Sequence, residues 1–129
     1  MTGAMAPRPV DAPAWLTDLY TKVDSLDTEA VLAGFAPEGT MRYGSAAPMY
    51  GHDAIRAGLT WLFTSYRRIG HEFLNVWAAG STLLVEATVT YGCLDGCDVA
   101  VPALTIIERR NGLIDDLHIF IDPTPVHVG

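Results

Sequence analysis

Apolar residues at helical spacing fill the first half of this 129-residue chain, and β-rich runs separated by tight-turn signals fill the second. That segregation predicts an α+β domain with helices packed on one face of an antiparallel sheet. Length supports the same reading. A chain of this size buries roughly two-thirds of its unfolded surface and needs no metal or disulfide staple to hold a core. One domain is expected over residues 11–129, preceded by a short flexible Pro- and Ala-rich tail over residues 1–10.

The elements follow in order. Asp11 is placed to cap a first helix with Pro13 in its opening turn. Trp15, Leu16, Leu19, Tyr20 and Val23 form its buried stripe. Ser25 or Asp27 restarts the chain into a shorter helix whose Val31, Leu32 and Phe35 face inward, with Pro37 and Gly39 as the stop. Thr40 to Ser45 reads as a short strand, and a loop containing Pro48 follows. Gly51-His52-Asp53 opens the longest helix, with Ile55, Leu59, Leu62, Phe63 and Tyr66 inward. Arg67 and Arg68 suit its C-terminal dipole. Four strands then run from Ile69 to Ala78, Thr82 to Tyr91, Asp98 to Arg109 and Leu113 to Asp122. The turns between them are Gly80-Ser81, Leu94-Asp95-Gly96 and Asn111-Gly112. Pro123 and Pro125 end the last strand. Leu83-Leu84-Val85 and Thr105-Ile106-Ile107 are apolar or nearly so on both faces. The outer sheet face therefore needs cover, and a homodimer interface is the simplest source.

Charge excludes some partners. The net charge is −7, and the eight basic residues are scattered. No basic stripe tracks phosphates, so neither nucleic acid nor an anionic membrane surface is an expected partner. No apolar run approaches the roughly 20 residues of a membrane span, and no signal-peptide pattern opens the chain. A cytoplasmic location is expected. Cys93 and Cys97 do not have metal-ligand spacing, and no second Cys/His pair completes a site. They read as reduced thiols. If Gly96 takes the left-handed position of a three-residue hairpin loop, the two also face each other as a potential cross-strand disulfide, which the cytosol would not preserve.

The element order and three phrases carry a family resemblance. VDSLDTEAVLAGFAPEGTMRYG, MYGHDAIRAGL and GLIDDLHIFIDPTPV are similar to the nuclear transport factor 2-like superfamily, which includes SnoaL-like polyketide cyclases, ketosteroid isomerases, scytalone dehydratase and limonene-epoxide hydrolase. The resemblance spans about residues 13–126. It implies a cone-shaped, curved sheet of mainly antiparallel strands, three helices enclosing a pocket, and a dimer. It leaves the activity open, because the superfamily hosts enzymes and plain binding modules.

In such a pocket a few polar groups in an apolar cavity can do acid–base chemistry without a cofactor or metal. By resemblance to the scytalone dehydratase pattern, Asp24 matches an acid that pairs with a catalytic histidine, and His71 matches that histidine. Read from the residues alone, Asp24 or Asp27 equally caps the second helix, and His71 equally serves as an ordinary strand histidine. The dehydratase's second histidine has no counterpart near Val89 to Tyr91, where Tyr91 is left as a candidate proton donor. Tyr20 lies one turn before Asp24 on the same helix face. Tyr43 lies on the first strand. Each could hold or protonate a substrate oxygen, or simply be an aromatic core residue.

Trp61, Phe73 and Trp77 are assigned to the apolar wall. His118, Asp116 and Phe120 alternate with Leu117, Ile119 and Ile121 on the last strand. Ile119 lines the pocket in one phase of that strand and His118 in the other. Glu86 becomes a candidate base only if its own strand turns it inward. The Arg and two Asp of the epoxide hydrolase pattern would fall near Thr88, Thr90 and Ile119, so that triad is absent. No G-x-S-x-G phrase supports a serine nucleophile. Two functions remain. One is a cofactor-independent dehydratase, isomerase or cyclase acting on a small hydrophobic carbonyl or hydroxyl compound, such as a polyketide intermediate. The other is a non-catalytic dimeric ligand-binding or interaction module.

Overall fold

The structure, a computed structural model, describes residues 6–127. Its elements run β1 (Arg8–Pro9), α1 (Ala14–Asp24), α2 (Thr28–Leu32), β2 (Phe35–Tyr43), β3 (Met49–Tyr50), α3 (Gly51–Ser65), β4 (Tyr66–Ala79), β5 (Thr82–Cys93), β6 (Asp98–Arg110), β7 (Leu113–Ile121) and α4 (Thr124–His127). All strands belong to one sheet in the order β1-β4-β5-β6-β7-β2-β3. The pairs from β4 to β7 are antiparallel, and β2 joins β7 in parallel. The sheet is thus mixed and open, with the helices on one face, as the α+β reading requires.

Strand alternation sorts the two faces. On β5, Leu83, Val85, Ala87, Val89 and Tyr91 are buried, whereas Leu84, Glu86, Thr88 and Thr90 on the other face are only partly so. The core lies between the inner face and the helices. Leu16 on α1, Leu32 on α2, Ile55 and Leu59 on α3, and Val85 and Ile107 on the sheet are its most buried members. No helix among the described residues is long and apolar enough to cross a membrane.

Several local expectations need correction. Asp11 does not cap α1; Pro13 holds the N-cap position without a side-chain hydrogen bond. Asp27 does cap α2, its carboxylate accepting from the Ala30 N–H at 3.1 Å. The helix ends at Leu32, and Phe35, Pro37 and Gly39 lie in β2, where a bulge between Phe35 and Thr40 absorbs Pro37. Tyr66 and the two arginines after it begin β4 instead of finishing α3. Arg67 and Arg68 both pair with Asp98 at the start of β6, which gives them a partner that a helix end would not.

Residues 1–5 of the expected tail lie outside the described residues. Arg8 and Pro9 are not a loose tail, because they pair with Ala78 and Trp77 at the sheet edge, where a proline without an N–H is tolerated. The β-turns follow their residues. Asn111 and Gly112 both have positive φ, as a two-residue hairpin of this kind demands, and Gly96 adopts φ 103° at the end of its loop. Cys93 and Cys97 face each other across that loop through a backbone hydrogen bond, and both are free thiols.

Candidate functional site

α1 ends on Asp24, where the negative pole of the helix dipole is unfavourable for a carboxylate. β4 supplies the compensating donors. The His71 backbone N–H donates to Asp24 Oδ2 at 3.2 Å, and His71 Nδ1 lies 2.6 Å from Oδ1. An ionised carboxylate only accepts, so in this contact a neutral His71 carries its proton on Nδ1 and keeps the Nε2 lone pair. The His71 side chain is 12% exposed and that of Asp24 32%. Tyr20 stands edge-on to the imidazole, with ring centroids 4.7 Å apart, and edge-on to Phe73 at 4.9 Å. The ring of His71 is therefore held by one ionic hydrogen bond and one aromatic contact.

Behind it lies a cavity of about 60 Å³ between α1, α3 and the inner sheet face. Its walls are apolar apart from His71, Tyr20, Tyr43, Tyr91 and Thr105. On the solvent side of His71 and Tyr20, an open cleft is bordered by Thr17, Thr21 and Asp24. His71 and Tyr20 thus form the partition between a polar vestibule and an apolar chamber.

Three tyrosines give the chamber its hydrogen-bonding character. Tyr43 and Tyr91 hydroxyls are 2.6 Å apart. Burial pushes both up; their mutual hydrogen bond opposes this for Tyr43 and adds to it for Tyr91, alongside the charge interaction between the two. Either hydroxyl can donate in this contact; with Tyr91 as the donor, the Tyr43 proton is left for a ligand oxygen. Tyr66 packs on Tyr91 at 4.6 Å and bonds His127.

Burial pushes the Tyr20 hydroxyl up to about 12; a Thr105 hydrogen bond opposes the shift and the Asp24 charge adds to it. The folded protein therefore keeps this proton longer than the unfolded chain does. The stability involved is intact below pH 10 and is lost as pH rises toward 12. We expect Tyr20→Phe to shrink the stability lost between about pH 8 and about pH 11 by roughly 1 kcal/mol, read from urea unfolding at both values. An unchanged loss would contradict this environment for Tyr20.

Of the residues predicted from sequence, His71, Tyr20, Tyr43, Tyr91 and Ile119 line the chamber, and Asp24 and Phe73 border the vestibule. Trp61 is 61% exposed on α3 and borders a separate chamber with Tyr43. Trp77, Glu86 and His118 must be corrected, because strand alternation turns them to the outer face. Trp77 and Glu86 lie there beside Leu84, Pro102, Leu104 and Phe120. Glu86 accepts from Asn75, and His118 stacks on Phe120. Thr88 and Thr90 share that face, and the inward neighbours Ala87 and Val89 are apolar, so no epoxide hydrolase triad enters the cavity. Thr105 escaped the sequence reading. Its signal is a lone polar residue in the inward row Val99, Val101, Ala103, Thr105, Ile107.

A family model for the SnoaL-like domain matches residues 16–117. The chain belongs to the SnoaL-like domain family. Solved structures agree on its fold. A protein with a ketosteroid isomerase-like fold from Catenulispora acidiphila DSM 44928, in complex with trimethylamine, is 19% identical to this SnoaL-like domain, with a TM-score of 0.78 over 85% of this chain and 86% of that one. A protein assigned to the SnoaL-like polyketide cyclases from Jannaschia sp. CCS1 is 19% identical, with a TM-score of 0.76 over 92% and 94%. TerC, co-crystallised with polyporic acid, is 18% identical, with a TM-score of 0.75 over 87% and 92%. No curated protein sequence matches this SnoaL-like domain.

Proposed function

We propose that this SnoaL-like domain is a cofactor-independent acid–base enzyme, a dehydratase, isomerase or cyclase acting on a small hydrophobic carbonyl or hydroxyl compound such as a polyketide intermediate. The observation that carries the reading is the Asp24–His71 contact at the cavity wall. His71 Nε2 is the base. It takes a proton from carbon beside the carbonyl, or from a hydroxyl, and the imidazolium so formed is stabilised by Asp24. Tyr43, polarised by Tyr91, donates to the oxygen on which charge develops. The apolar wall strengthens these interactions by excluding water. A neighbour of the same fold co-crystallised with polyporic acid supports an aromatic, oxygen-bearing ligand.

The test needs no knowledge of the natural substrate. The protein is expected to accelerate exchange of the α-protons of 2-tetralone in heavy water, followed by proton NMR. Exchange at the buffer rate would contradict the reading.

The cavity volume of about 60 Å³ favours a second reading, a non-catalytic dimeric ligand-binding or interaction module, because side chains already fill much of the space a substrate would need beside His71. Exchange of 2-tetralone at the buffer rate by a protein that still dimerises or binds an apolar ligand would support it. In either case the outer sheet face, with Trp77, Leu84, Leu104 and Phe120 around a shallow concavity, is proposed to pair with a second copy in the cytoplasm. Sedimentation equilibrium showing only monomer would overturn that pairing.

A further inference from the structure

The inward row of β5 runs through Ala87, Val89 and Tyr91, and the strand period puts Cys93 at its end. On β6 the inward row of Val99 and Val101 extends backward to Cys97. Gly92 is paired with Asp98, so Cys93 and Cys97 are the next opposed pair, and the Cys93 N–H donates to the Cys97 carbonyl at 2.7 Å. Directly opposed residues present their side chains to one face. A hydrogen-bonded pair of this kind sets its Cα atoms about 5.5 Å apart. That separation lies inside the roughly 4.4–6.8 Å that a disulfide spans. The backbone needs no movement to join the two sulfurs.

The loop between them is held in that posture. The Gly96 N–H donates to the Cys93 carbonyl at 2.9 Å, and the Asp95 carboxylate accepts from the Cys97 N–H at 3.1 Å. Arg67 reaches over from β4, donating through Nε to the Cys93 carbonyl at 3.2 Å and through Nη2 to the Gly96 carbonyl at 3.0 Å. Cys97 is exposed and Cys93 is half-buried, so one thiol meets solvent and the other stands behind it. Tyr66 on β4 is paired with Cys93. Burial, and then charge interactions with Tyr43 and Cys93, push the Tyr66 hydroxyl up, in keeping with an inward Cys93 sulfur beside that ring. Neither thiol takes part in the acid–base chemistry proposed above.

We propose that Cys93 and Cys97 form a redox modification site, a dithiol that small disulfides such as glutathione disulfide oxidise reversibly to a cross-strand disulfide. The Cys97 thiolate attacks one sulfur of glutathione disulfide, forms a mixed disulfide and expels one glutathione thiolate. The Cys93 thiolate then attacks the Cys97 sulfur, forms the internal bond and expels the second. Both protons and both electrons leave the chain with the two glutathiones. In a glutathione-reducing compartment the same steps run backward, so the bond marks an oxidative challenge and is no permanent staple.

The test equilibrates the full chain with mixtures of glutathione and glutathione disulfide, in native buffer and in urea that unfolds it. Acid quenching and mass spectrometry read the products. These are the chain's two cysteines, so a loss of two hydrogen atoms locates the bond. The native protein is expected to form it without retaining glutathione, at an equilibrium constant at least about tenfold above that in urea, because the fold holds the thiols opposed. Cys93→Ser is expected to stop with one glutathione on Cys97, since the resolving thiol is gone. An internal disulfide no more favoured in native buffer than in urea overturns the proposal. So does a native wild-type chain that ends with glutathione on its cysteines, or joined to a second chain.

Discussion

His71→Ala lowers the rate of 2-tetralone α-proton exchange by about 10² to 10⁴-fold, the usual contribution of a positioned general base. The loss is specific because the imidazole does little structural work. Its one side-chain hydrogen bond goes to Asp24, which is itself a third exposed, so removing the ring leaves no charge stranded in the core. Unfolding midpoints close to wild type should accompany the loss. Asp24→Asn moves activity in the same direction by a gentler route: an amide can accept the His71 backbone N–H, but it lacks the charge that stabilises the imidazolium. Exchange by His71→Ala at the wild-type rate would remove His71 from the mechanism.

Phe35→Ala and Gly39→Ala carry the largest expected cost to stability. Phe35 is 2% exposed and stands where β2 leaves the helical layer for the sheet. Its loss is expected to cost about 3–5 kcal/mol, as for other large side chains cut from a packed core. Gly39 lies on the same bulge. A Cβ there would sit 2.9 Å from the Ile114 carbonyl oxygen and 3.1 Å from that of Ala36. Both obstacles are backbone, so the parallel β2–β7 contact has to shift, at about 1–3 kcal/mol. Urea unfolding measures both variants. A loss below about 1 kcal/mol for Phe35→Ala would mean that this junction is not the packed centre described here.

The same junction marks the limit of what the sequence discloses. Pro37 and Gly39 are the ordinary signals of a helix stop, and a bulged strand uses the same residues for a different reason. Tyr66, Arg67 and Arg68 continue the periodicity of α3, yet they pair in β4 because Cys93 and Asp98 wait across the sheet. Such choices depend on partners far along the chain. The long helices, the four-strand run and the Asn111-Gly112 turn depend on neighbours, and they were legible.

The site divides in the same way. Strand period alone fixes that one row of β7 is apolar, but only the fold decides that Ile119 faces the cavity and His118 the outer surface. The Asp24–His71 pairing spans 47 residues. No local pattern announces it, and it was reached through resemblance. The Tyr43–Tyr91 contact, 48 residues apart, was anticipated only as two separate tyrosines. Thr105 is the lone hydroxyl of its inward row, a signal that marks a buried polar group without naming its partner.

The central claim is that Asp24 holds the proton on His71 Nδ1 and leaves Nε2 free to act as the base. Long-range ¹H–¹⁵N NMR of the imidazole nitrogens reads this directly, with His71→Gln used to assign the signals. The account predicts that neutral His71 in the wild-type protein is the Nδ1–H tautomer, and that Asp24→Ala releases it toward Nε2–H. A wild-type His71 protonated at Nε2, or a tautomer unchanged by Asp24→Ala, would contradict it.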